Sequence, residues 1–180
     1  METSYFSVIG EGALNTLLIV ILSSILPVGL GILFTVLSSK SKTAQKVFSW
    51  VSLPFECLCP VVLLPIFYFT VTRYTNIYMT PLTAVVIALT FCFIGYMPSR
   101  YVDTYSLKKN IIYNMFGLYR NIFMWSFCAS IIGCMDLLQS AQVVMSRTYY
   151  AEWYFVPFAF AFAVLAAIEI PRKIIKQKMK

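Results

Sequence analysis

The chain has 180 residues, of which 60% are hydrophobic, 17% aromatic and only 12% charged. Soluble domains carry about 25% charged residues; half that share, in short clusters between long uncharged runs, excludes an ordinary soluble domain and predicts an integral membrane protein. The net charge of +7 would suit a nucleic-acid surface, but the basic residues alternate between successive loops instead of forming one patch. No nucleic-acid partner is therefore expected, and the charge reports topology and contact with membrane lipid.

The first run without charge, residues 12–39, predicts a span over about 14–37. It meets the roughly 20 residues that a helix needs to cross hydrocarbon. The segment before it has no basic residue ahead of its apolar run, so it is not expected to be a signal peptide. Lys40, Lys42 and Lys46 follow, and then a second span over about 47–71. Pro54, Pro60 and Pro65 each remove a backbone donor, so this helix is predicted to bend or locally unwind. Glu56 is its one charge. A carboxylate deep in a span costs roughly 2.5–3.5 kcal/mol on insertion scales. It can face the bundle interior and hold a solute amino group or a partner subunit, or sit near the cytoplasmic interface and bond a neighbouring hydroxyl.

A third span is expected over about 81–97. Beyond it, Leu107, Ile111, Ile112, Met115, Phe116 and Leu118 recur at helical spacing, with Lys109, Asn110, Asn114, Gly117 and Asn121 on the other side. This predicts an amphipathic helix over about 107–121, which either lies in the membrane interface or docks its apolar side into a groove of a cytoplasmic partner. The fourth span is read over about 122–141 and the fifth over about 153–170. Asp136, Gln139 and Ser140 follow i, i+3, i+4 spacing near the end of the fourth. Such a face points into a translocation cavity or toward a binding protein, or else meets water at the outer headgroups. Glu169, just ahead of Pro171, Arg172 and Lys173, is expected to be an interfacial salt-bridge partner.

Twelve of the fourteen basic residues fall on alternate loops and the C-terminus. The positive-inside rule then sets the N-terminus outside and the C-terminus inside, around five helical spans. Helices are expected because lipid offers no water to an exposed backbone. The chain has no histidine, and all five cysteines lie in predicted spans as small buried hydrophobes, so no metal site is expected. A phosphate-binding GxxxxGK[ST] loop is absent and no residue pair has catalytic spacing, so neither an enzyme nor a bound cofactor is expected.

Several motifs, in order, carry a resemblance. They are Gly12-Ala-Leu-Asn-Thr16-Leu17 entering the first span, Pro60-Val-Val-Leu-Leu in the second, Ile94-Gly95-Tyr96 closing the third, and Ala129-Ser-Ile-Ile-Gly133-Cys-Met-Asp136-Leu137 in the fourth. Together they resemble the permease subunits of polar amino-acid ABC importers, which share the MetI-like fold of five core spans. The resemblance covers about four-fifths of the chain. It implies an inner-membrane transport subunit of a bacterium, a separate ATPase, a solute-binding protein and a second permease subunit, identical or not. The family's Glu-Ala-Ala-x-x-x-Gly loop, which docks the ATPase, falls here on Ile111, Ile112, Tyr113 and Gly117, so only the glycine is kept. The resemblance places ATPase docking on Ile111, Ile112, Tyr113, Met115, Phe116 and Gly117. Roughly twenty residues that the family carries after this loop are missing, and Cys57 stands where the family has an arginine. These departures keep a second reading open: a reduced homologue that serves as a membrane scaffold or regulatory partner of another complex.

Overall fold

A computed structural model describes residues 2–75, 79–96 and 107–177, which are helical with no strand among them. The first helix, α1 (Glu2–Lys40), is about 58 Å long at 1.5 Å per residue. Pro27 lies inside it and cannot donate to the carbonyl of Ser23. Thr90 of a neighbouring helix reaches that carbonyl at 3.4 Å while donating to its own Val86 at 2.7 Å. Other buried hydroxyls on α1 turn back on the helix itself, Ser24 onto Ile21 O at 2.7 Å and Thr35 onto Gly31 O at 2.6 Å. Ser24 and Thr35 thus enter the interior with their donors satisfied, whereas the buried Ser23 hydroxyl has no partner among the described residues.

The second predicted span is two helices. Helix α2 (Lys42–Glu56) ends at the Cys57–Cys59 link, and α3 (Pro60–Pro65) begins with Pro60 in its first turn. Cys59 is extended, with φ −89° and ψ 121°, as the residue before a proline prefers. After Pro65 the coil widens into a π-helical turn over Ile66–Val71, followed by the short α4 (Thr72–Thr75). Helix α5 (Pro81–Phe93) is capped by Thr80, whose hydroxyl accepts from Thr83 N at 3.3 Å, and has Pro81 in its first turn. It buries Ala84, Val85, Ala88, Leu89, Cys92 and Phe93 on one side. The predicted end of this span at 97 lies outside the described residues.

The boundary expected between a helix over 107–121 and a span over 122–141 is not where the chain divides. One helix, α6 (Leu107–Ser126), runs through residue 121 and tightens into a 3₁₀ segment over Phe127–Ile132. Gly133, at φ 73°, closes it, with Gly133 N and Cys134 N bonded to Ser130 O and Ala129 O, both at 3.1 Å. Residues 137–141 belong instead to α7 (Leu137–Thr148), and α8 (Phe155–Gln177) closes the fold, continuing past the expected end at 170 through Pro171.

Helix α1 is the hub and packs against α2, α5, α6 and α7, while α8 packs chiefly against α6. The main core gathers Ile19, Leu64, Leu89, Leu118, Ile122 and Phe123, and a smaller cluster joins Ile9, Leu137 and Val144. Three helical stretches are long and apolar enough to cross a membrane: Tyr5–Leu37, Leu107–Ile132 and Ala151–Gln177. Two shorter apolar stretches, Pro60–Val71 and Pro81–Phe93, fall between them in sequence. The chain is an all-α polytopic membrane protein.

Candidate functional site

Three places bring the sequence-predicted residues together. The first is the junction between α1 and the start of α7. Asp136 is extended, at φ −87° and ψ −177°, and its Oδ1 accepts from Gln139 N at 2.7 Å, which makes it the N-cap of α7. The Ser140 hydroxyl donates to Asp136 O. Asp136 and Ser140 are both fully buried, at 0% exposure. Of the polar face expected at this position, Asp136 and Ser140 are therefore turned inward and Gln139 is half-buried: the helix it was read on has already ended at Gly133, and these groups begin its successor. Thr16 Oγ1 accepts from Leu137 N at 3.0 Å and donates to Gly12 O at 2.9 Å. Asn15 Nδ2 donates to Met135 O at 2.9 Å. Gly12 is pressed against the junction; a Cβ there would collide with Ser140 Oγ and lie 2.7 Å from Asp136 O. The two motifs Gly12-x-x-x-Thr16 and Gly133-x-x-Asp136-Leu137, which lie 120 residues apart, thus close on each other. Asp136 sits in the turn between the apolar stretches. Burial pushes its carboxyl above the usual range, against the backbone hydrogen bond from Gln139 that pulls it down. Its Oδ2 has no partner among the described residues.

The second place is the other end of α6. Asn110, Asn114 and Gly117 are buried, so the polar stripe faces inward and the helix does not lie with it toward water. Asn114 Nδ2 donates to Asn110 Oδ1 at 3.2 Å. A Cβ on Gly117 would lie 2.6 Å from Tyr96 Oη and 3.3 Å from Arg172 Nη2. A larger residue there would have to displace the ends of both side chains, and this is the glycine that the resemblance assigns to the docking loop. Of the residues expected to dock an ATPase, Ile111 and Met115 pack against the chain's own core. Tyr113 lies under the guanidinium of Arg172, 4.6 Å from its ring centroid. Ile112 is exposed and Phe116, one turn on, is half-buried. Glu169 pairs with Arg172 Nη1 at 3.0 Å and Arg120 Nε at 3.1 Å, joining α8 to α6 as the salt-bridge partner its sequence context predicts.

The third place is a cavity of about 380 Å³ at the Cys57–Cys59 link. Cys57, Cys59, Cys92, Tyr96, Asn121 and Trp125 are among its lining residues. Interrupted helix backbone at membrane depth is tolerated where protein or a cavity surrounds it, and here the link between α2 and α3 forms one wall. Glu56 closes α2 beside this link, and its side chain lies outside the described residues. No three metal-ligating side chains converge among the described residues. Sequence reasoning missed the cavity, although the three prolines of span 2 marked the break that makes it.

The sequence matches no family model and no curated protein. Among solved structures, the crystal structure of an amino acid ABC transporter with histidines is similar, with a TM-score of 0.76 and 22% identity. The likeness covers 98% of this chain and 96% of that chain. At this coverage and TM-score the chain has an ABC-permease-like fold.

Proposed function

We propose that the chain is the transmembrane subunit of an ABC importer for amino acids or similarly small polar solutes, with ATP hydrolysed by a separate subunit. The observation that carries this reading is the likeness to an amino acid ABC transporter over nearly the whole of both chains. The cavity at the broken second span supports it, because discontinuous helices in transporters meet solute near the bilayer midplane. Asn121 and the Tyr96 ring on its wall suit a small polar solute. Charge asymmetry sets the N-terminus outside and the basic ends of α6 and α8 inside the cytoplasmic membrane of a bacterium. Docking of the ATPase then falls on the outward part of lower α6, Ile112 and Phe116, with a solute-binding protein on the opposite side and a second permease subunit alongside.

The test is affinity purification in mild detergent. An ABC ATPase co-purifies with the chain and is lost on Phe116→Asp, which places a charge in the docking surface. Recovery with membrane partners that lack any ATPase overturns the reading. That outcome supports the second one, a non-transporting scaffold or regulatory partner. The observation favouring this alternative is that Tyr113 and Gly117 are covered by the chain's own Arg172.

A further inference from the structure

Along the seam between α6 and α8, an apolar groove runs into a charged cluster. The groove, of about 360 Å³, is walled by Phe123, Met124 and Phe127 on one side and Phe158, Ala161 and Leu165 on the other. Met124 and Phe158 are exposed and Phe123 forms the buried floor. Arg120 and Met124 stand at i, i+4 on α6, with Phe127 at the start of the 3₁₀ segment that follows, so Arg120 continues the groove wall by one turn. On α8, Phe158, Ala161, Leu165 and Glu169 share a face, and the exposed Lys173 and Lys176 extend the same face. The two walls therefore change from apolar to charged at one level, where Arg120 meets Glu169 at 3.1 Å.

That level carries excess positive charge. Arg120 and Arg172 share the single carboxylate of Glu169, and Lys173 lies one turn beyond it. The ion pair is made through Arg120 Nε, and the Arg120 side chain is 41% exposed. A planar guanidinium with an open outer edge is suited to bidentate phosphate recognition. The groove above it offers hydrocarbon contact over about 10 Å of helix between Phe158 and Leu165. We propose that this seam is a binding site for one anionic phospholipid, with its phosphate at Arg120 and Lys173 and an acyl chain in the groove below Met124 and Phe158. Charge complementarity and the continuity of groove and cluster select this occupant over a second copy of the chain, which would need to bury the open Arg120 charge.

The experiment is native mass spectrometry of the full chain in mild detergent, with phosphatidylglycerol and phosphatidylcholine of matched acyl chains added in equal amounts. Phosphatidylglycerol is expected to be retained over phosphatidylcholine, and Arg120→Gln lowers that preference by about fivefold, the effect of one basic residue at a lipid surface. Arg120→Lys, which keeps the charge without the planar edge, keeps only part of the preference. Ala161→Trp fills the groove and lowers retention of both lipids. Lys40→Gln, outside the seam, leaves retention unchanged. Equal retention of the two lipids overturns the proposal, as does a preference that survives Arg120→Gln. So does an Ala161→Trp variant that changes subunit association and leaves lipid adducts as they were.

Discussion

Two helix junctions of this fold, α1 with α7 and α6 with α8, are built from different materials. Where α1 meets α7, the contacts are short and made largely through the backbone: Leu137 N to Thr16, Gln139 N to Asp136, Met135 O from Asn15. Where α6 meets α8, the contacts are long side chains: Arg172 over Tyr113, with Glu169 between two arginines. Backbone contacts with a glycine at their centre leave no room for substitution, and the resemblance to the permease motifs is kept there residue by residue. Long charged side chains reach their partners from several rotamers, so that junction tolerates change more readily. The tighter packing is where α1 meets α7, and the looser is where α6 meets α8.

Three substitutions, taken from the largest expected effect to the smallest, and one neutral control break or sharpen this contrast. Gly12→Leu forces a side chain into Ser140 and Asp136. It should destabilise the chain by about 3 kcal/mol or more, at the upper end of overpacking costs. The readout is thermal unfolding in detergent. Gly10→Ala, where a Cβ meets nothing within 4 Å, should be neutral or stabilise slightly in the same measurement. At the other junction, Arg172→Gln removes both the ring contact and the ion pair, for an expected loss of about 1–2 kcal/mol. Arg120→Gln, at a half-exposed side chain, should cost no more than about 0.5 kcal/mol and depend on salt. If the two variants are equal, the Tyr113 contact contributes nothing.

A separate effect concerns pH. Burial raises the Asp136 carboxyl in the folded chain, so the folded state holds the proton more tightly than the unfolded one. The resulting stabilisation is complete below the unfolded pKa and is lost as pH rises through the raised folded value. Asp136→Asn keeps an oxygen to accept from Gln139 N and should flatten this dependence. A pH profile of unfolding that is the same in both proteins sinks this account.

The first, third and fifth apolar stretches and the interruption of the second could be read from the sequence, because hydropathy and proline act locally; the fourth, expected from 122, begins at Leu107 and ends at Ile132. Glu169 could be read too, since its arginine lies three residues on. Asp136 was harder to read. Its i, i+3, i+4 relation to Gln139 and Ser140 suits a continuing helix face, yet Asp-x-x-Gln ahead of an apolar run is also a capping-box pattern. Gly133, three residues earlier, is the signal that decides between them, since it ends α6 at a positive φ. The inward turn of Asn110 and Asn114 was illegible for a different reason. A polar stripe is assigned to water by habit, whereas beside lipid the bundle interior is the more favourable place for it. The approach of Arg172 to Gly117 depends on residues 55 apart and left no local trace.

The link at Cys57–Cys59 also has a consequence for helical phase. Within α1, one inserted residue would rotate everything beyond it by about 100°, turning Thr16 away from Leu137 or Thr35 out of the core. In α2 the same insertion is confined to 15 residues, because the link resets the azimuth before Pro60 begins α3. Insertions and deletions should therefore accumulate ahead of residue 57 and be purged from α1, and the broken span becomes the place where the length of this chain can drift without changing what its core buries.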